Sequence, residues 1–125
     1  MSDAVATTLA RARDDLAAAA VLLNEGFPPQ ATSRAYFAAF HSAEAALLAL
    51  EETRGKHSAV ISAFGRLVIK GGGFDPDVGR IVSRLFVARG EADYAGTTTR
   101  EEAESALADA ERFVGAVEEW ISSAD

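Results

Sequence analysis

An all-α, five-helix up-and-down bundle, four main helices and a shorter one, is expected from this 125-residue chain. Three features point there. Apolar residues recur at steps of three and four, the helical period. Glycine and proline clusters cut that pattern into helix-length segments. No stretch alternates apolar and polar residues as a half-buried strand does. The length suits one domain, residues 1–125, with a core that needs no covalent staples.

The first helix is expected from about Asp3 to Asn24. Leu9, Leu16 and Leu23 recur every seven residues, beside Val5, Ala12 and Ala19. Ala17 to Ala20 adds helix propensity. Gly26 and Pro28-Pro29 then force a turn, so the second helix, about Pro29 to Glu52, returns antiparallel to the first. On that helix Tyr36, Phe40, Ala43, Leu47 and Leu50 form one apolar face. A neighbouring stripe, Arg34, Ala38, His41, Ala45 and Leu48, is mostly small between its ends and lets another helix approach closely.

Arg54-Gly55-Lys56 breaks the pattern, and a third helix follows over about Ser58 to Lys70. Gly71-Gly72-Gly73 ends it, because three glycines lose much chain entropy in a helix. Asp75-Pro76 reads as an N-cap followed by proline in the first turn. The fourth helix carries Val78, Ile81, Val82, Leu85 and Ala88. Gly90 to Thr97 is expected as a loop holding Asp93 and Tyr94. Thr98 with Glu101, or Thr99 with Glu102, makes a capping box for the last helix. Trp120, near its end, is expected to close the bundle.

Composition excludes several classes. Without cysteine there is no disulfide scaffold, thiolate zinc site or cysteine nucleophile. No apolar run approaches the roughly 20 residues of a membrane span, and no secretory leader is visible. A cytoplasmic protein without cofactor is the expectation. Gly71-Gly72-Gly73 lacks the Lys-Ser/Thr of a phosphate loop. His41 and His57 have no metal-ligand spacing. The net charge of −7 argues against nucleic acid only as a total. From Arg54 to Arg89 there are seven bases and two acids, a net of +5, leaving −12 elsewhere. A local anion-binding face is compatible with that split. Ordinary helix-surface charge explains it too.

Arg34 and His41 are the most informative pair. Seven residues apart on one helix, they fall within about 20° of the same face and roughly 10 Å apart along the axis. Arginine holds a phosphate bidentately and histidine moves a proton near neutral pH. Metal-independent RNA cleavage needs both abilities. A polar network in helix packing uses the same two residue types.

Arg34-Ala-Tyr-Phe-Ala-Ala-Phe-His41 resembles the signature helix of small prokaryotic HEPN-domain proteins. Lys56-His57-Ser58 through Phe64-Gly65, Arg89 through Asp93-Tyr94, and the Glu102 to Val114 run resemble further segments of that family in order. The resemblance implies a helical bundle that dimerises and an Arg–His active motif of an RNase or toxin. It also implies pairing with a minimal nucleotidyltransferase antitoxin. Catalysis by Arg34 and His41 on RNA is the function expected. The alternative is a non-catalytic dimeric module that binds a nucleotidyltransferase partner or a nucleotide. Two departures favour that alternative: Ala35 stands where active members often carry a polar residue, and Ala43 where some carry a modifiable tyrosine.

Lys56, His57, Arg80, Arg84, Arg89, Asp93 and Tyr94 are secondary candidates for substrate binding. His57 reads as a capping or packing residue or as a second base. Asp93 pairs with a base such as Arg89, caps a turn, or orients Arg34 or His41. Tyr94 is expected half-buried with its hydroxyl bonded. Arg80 with Arg84, and Arg66 with Lys70, are i, i+4 pairs that suit phosphate contacts and equally a soluble surface. The small residues near Ala38 and Ala45 are expected to admit a second protomer.

Overall fold

A computed structural model of the chain describes residues 1–124, in which every regular element is helical. Helix α1 spans Asp3–Asn24, α2 Pro28–Ala49 and α3 His57–Ala63. Helix α3 runs on as a π-helical stretch, Phe64–Lys70. A short α4, Pro76–Gly79, leads through Arg80 into α5, Ile81–Ala95, and α6 spans Arg100–Ala124. Counting each continuous pair as one rod, these are the five helices of the expected bundle.

Helix α1 starts at Ser2, whose hydroxyl accepts the Val5 N–H. It ends in a Schellman turn. Phe27 N–H donates to the Leu22 carbonyl and Gly26 N–H to that of Leu23, with Gly26 at φ +88°. Pro28 then occupies the first turn of α2, where its missing N–H costs nothing. The tight turn lays α2 antiparallel along α1.

Helix α2 is the centre of the bundle and packs against α1, α3, α5 and α6. That position explains its alanines: Ala35, Ala38, Ala43 and Ala45 are all fully buried. The small stripe therefore admits neighbouring helices of the same chain. The expectation that Ala38 and Ala45 leave room for a second protomer is corrected. Leu47, Phe64, Phe113, Ile81 and Ile121 fill the core that these helices enclose.

Two further boundaries differ from expectation. The segment after Gly90 is helix through Ala95, and the left-handed residue that ends it is Gly96, at φ +64°. A lone glycine costs only about 1 kcal/mol in a helix. Burial of Ala92 and the Arg89–Asp93 pair one turn apart hold the helix through it. The third rod also loosens. Gly71 N–H reaches back five residues to Arg66 O at 3.1 Å, the π-type spacing.

The expected caps form. Asp75 accepts the N–H groups of Asp77 and Val78. Of the two capping boxes, Thr99 with Glu102 is the one realised, through bonds of 3.0 and 3.1 Å. Trp120 packs on the core and donates its indole N–H to the Gly72 carbonyl at 2.8 Å.

Candidate functional site

One face of α2 carries Arg34, Phe37, His41 and Glu44, the i, i+3, i+7 and i+10 positions of a helical stripe. The hairpin brings Asp15 of α1 opposite them. Arg34 Nη1 donates to Asp15 Oδ1 at 3.1 Å. His41 Nε2 stands 3.7 Å from Asp15 Oδ2, too far for a hydrogen bond. Asp15 Oδ2 is buried and has no hydrogen-bond partner among the described residues. One carboxylate thus joins the arginine and histidine of the expected motif, and the sequence reading passed it over.

His41 Nδ1 lies 2.7 Å from Glu44 Oε1. An ionised carboxylate only accepts, so Nδ1 carries the proton and donates it. That leaves Nε2 as the ring atom that can exchange a proton with a ligand. The His41 side chain is about 10 % exposed and that of Arg34 about 40 %, so the arginine forms the open edge of the site.

Two more elements reach the same place. From the start of α3, His57 stacks on Phe40 with 3.9 Å between ring centroids. Its Nδ1 is hydrogen-bonded to Tyr36 Oη at 2.8 Å. From α5, Arg89 lies over the rings of Tyr36 and Phe37, with Cζ 5.5 and 5.2 Å from their centroids. Arg34 Cζ lies 4.7 Å from the same Phe37 centroid. Burial pushes the Tyr36 phenol up to about 12, opposed by Arg89 and helped by Glu44. Burial also lowers the His57 pKa, and the Arg89 charge lowers it further.

The secondary candidates separate into three groups. His57, Arg89 and Asp93 belong to this neighbourhood. Asp93 pairs with Arg89 at 2.8 Å, as one sequence reading had it, and lines the open hollow of Arg34 between α2 and α5. Arg80 and Arg84 do not share it: Arg80 pairs with Asp77, and Arg84 with Asp109 of α6 at 3.6 Å. Arg80 instead lines a shallow groove with Arg66 and Lys70. Lys56 is exposed just before α3. Tyr94 is 94 % exposed, so the half-buried tyrosine expected there is corrected; as α5 continues, its outer face carries the ring into solvent. His57 packs against Phe40, and the Lys56–His57 helix start has no side-chain cap.

Asp15, Phe37 and Glu44 were the members missed. Glu44 was legible as the i+3 neighbour of His41. Asp15 was legible only as an acid beside Leu16 on the buried stripe of α1.

The family model of the HEPN domain matches residues 5–120. A protein of Methanocaldococcus jannaschii provisionally designated a toxin is 38 % identical over 111 residues, 88 % of this chain and 83 % of that one. A UPF0332 protein of Thermotoga maritima is 34 % identical over 113 residues, 89 % and 86 % of the two chains. A UPF0332 protein of Gloeobacter violaceus is 30 % identical over 115 residues, 90 % and 91 % of the two.

Proposed function

The chain belongs to the HEPN domain family, and on that footing we propose that it is a toxin-like endoribonuclease whose site is Arg34 and His41. The partner in this reading is a minimal nucleotidyltransferase that silences it. The observation that carries the reading is the convergence of Arg34 and His41 on Asp15 across the α1–α2 hairpin. The toxin designation of the M. jannaschii relative supports it.

The chemistry asked of the pair is small. Arg34, with one N–H on Asp15 and its side chain about 40 % exposed, binds the scissile phosphate and stabilises charge on the phosphorane. His41 moves a proton at Nε2, the nitrogen not committed to Glu44. Attack by the 2′-oxygen on phosphorus and departure of the 5′-oxygen leave a 2′,3′-cyclic phosphate and a 5′-hydroxyl. The Arg66, Lys70 and Arg80 groove is a second, sequence-independent contact for the RNA backbone. A homodimer belongs to the same reading. Since Ala38 and Ala45 are buried in the chain's own bundle, its contact uses other surface, such as the exposed Phe86 and Val87 of α5.

Purified protein incubated with structured RNA in EDTA tests the activity. Wild type is expected to cut, and His41→Ala is not. Equal cleavage by the variant, or no cleavage by wild type, ends the proposal. The carboxylates beside His41, Glu44 at 2.7 Å from Nδ1 and Asp15 at 3.7 Å from Nε2, favour one other reading: a non-catalytic module that holds a nucleotidyltransferase or a nucleotide. An inert wild type that co-purifies with such a partner selects it.

A further inference from the structure

Two imidazoles and two guanidiniums surround the Phe37 ring within one chain. The His41 and His57 centroids lie 6.0 and 5.8 Å from that of Phe37. The Arg34 and Arg89 Cζ atoms lie 4.7 and 5.2 Å from it. Buried Phe40 touches the same two imidazoles, at 5.6 Å from His41 and 3.9 Å from His57. Both histidines therefore lie against the same two phenyl rings, Phe37 and Phe40.

RNA transesterification requires two proton transfers on opposite sides of phosphorus. A base takes the 2′-hydroxyl proton and an acid supplies the leaving 5′-oxygen. One histidine cannot stand on both sides of an in-line attack. Resting on the reading that Arg34 and His41 act on a phosphodiester, we infer that His57 is the second proton-transfer residue of that site. Its Nε2 takes the proton from the 2′-hydroxyl while His41 Nε2 gives one to the 5′-oxygen. The O2′–P bond forms with the O–H electron pair, the P–O5′ bond breaks, and its pair is protonated by His41. Afterwards His57 releases its proton to water and His41 regains one.

The surroundings of His57 suit a base. Its Nε2 makes no hydrogen bond among the described residues and is not sealed from solvent. Its Nδ1 is fixed on Tyr36 Oη. The neutral Tyr36 hydroxyl can donate to Nδ1 or accept from Nδ1–H, and the base-competent tautomer is the one in which it accepts. In that tautomer the lone pair lies on Nε2. Charged groups near the ring are Arg89 from α5 and Glu44 and His41 from α2; burial, Arg89 and His41 favour its neutral form, and Glu44 opposes them. Among the described residues the acid paired with Arg89 is Asp93, which leaves the rest of its guanidinium for the incoming phosphate.

The test is a pH–rate profile of RNA cleavage for wild type, His57→Asn and Tyr36→Phe. Asparagine can keep a donor toward Tyr36 but cannot take a proton. His57→Asn is expected to lose about 10²-fold or more in rate and the rising limb of the profile. A dinucleotide with a 5′-bridging sulfur, whose leaving thiolate needs no acid, should restore cleavage by His41→Ala and not by His57→Asn. Tyr36→Phe removes the acceptor that stabilises the protonated ring, so the rising limb should move to lower pH. A packing residue would leave the profile's shape unchanged. If His57→Asn keeps its rate within threefold and its rising limb, or the sulfur substrate rescues it, the inference is wrong while the Arg34–His41 reading stands. If His57→Asn fails to fold, an unshifted limb in Tyr36→Phe overturns the inference alone. An inert wild type removes both together.

Discussion

Asp15 and Arg34 form an ion pair across the α1–α2 hairpin at 3.1 Å, between a carboxylate about 10 % exposed and a guanidinium about 40 % exposed. The partial burial matters. Screening is weak on the Asp15 side, and among the described residues the carboxylate has no other hydrogen-bond donor. Arg80 and Asp77 also pair, but both side chains are mostly in water, at 65 and 80 % exposure.

A double-mutant cycle should separate the two pairs. Asp15→Asn with Arg34→Gln is expected to give a coupling of about 1 kcal/mol in urea unfolding. Asp77→Asn with Arg80→Gln is expected to give less than about 0.5 kcal/mol. Equal couplings would show that Asp15 is solvated in solution and does not organise the site.

The glycines around the π-helical stretch differ in what they permit. A Cβ on Gly72 would lie 2.7 Å from both the Val68 carbonyl oxygen and the Trp120 ring. A Cβ on Gly65 would meet nothing within 4 Å. Gly72→Ala should therefore destabilise by about 1–3 kcal/mol, as overpacking does. Gly65→Ala should be neutral or slightly stabilising because it restricts the unfolded chain. Thermal melts of the two variants check the contrast, and a Gly72→Ala melt like wild type would refute the packing of Trp120 on Gly72.

Those glycines show where the sequence was legible and where it was not. The Gly71 to Gly73 break was readable because three glycines act locally on chain entropy. Gly90 misled for the same reason: its local penalty is outweighed by the burial of Ala92, which only the packed bundle reveals. The Arg34–His41 face followed from helical period alone, since both residues lie on one helix. Asp15 did not, because its partners are Arg34 and His41 on the other arm of the hairpin. Nor did the alanine stripe say which helix it would receive. A small face reports close approach and not the identity of the approaching chain, so Ala38 and Ala45 fitted a second protomer as well as their own bundle.

The end of α2 stores a local strain that can be relieved. Glu51 sits at φ +60°. It occupies the C′ position of a Schellman turn in which Glu52 N–H reaches the Leu47 carbonyl at 2.9 Å. Glycine adopts that conformation without the Cβ clash that costs other residues roughly 1–2 kcal/mol. Glu51→Gly should raise the melting temperature by a few degrees, while Gly26→Ala, at φ +88°, should lower it. Opposite signs from two substitutions at the two ends of one turn type are a check that surface charge alone cannot mimic.

The Tyr36–His57 pair predicts stability limits on both sides of neutrality. Burial and Arg89 lower the His57 pKa below its ordinary 6.5. The unfolded chain then binds the proton more readily than the folded one in that window. The stability from neutral His57 is present above about pH 6.5 and is lost as pH falls through the lower, folded value. Tyr36 runs the other way. Its pKa rises from 10.0 to about 12, so its contribution is present below pH 10 and is lost as pH rises toward 12. The curve of melting temperature against pH should fall at both ends. His57→Asn should flatten the acid side and Tyr36→Phe the alkaline side, after allowance for carboxylates that titrate below about pH 5. Arg89→Gln should raise the folded His57 pKa back toward its ordinary value, so the acid decline should become shallower and end at a higher pH than in wild type. An acid decline that is identical in wild type and His57→Asn would show that this imidazole is as well solvated when folded as when unfolded.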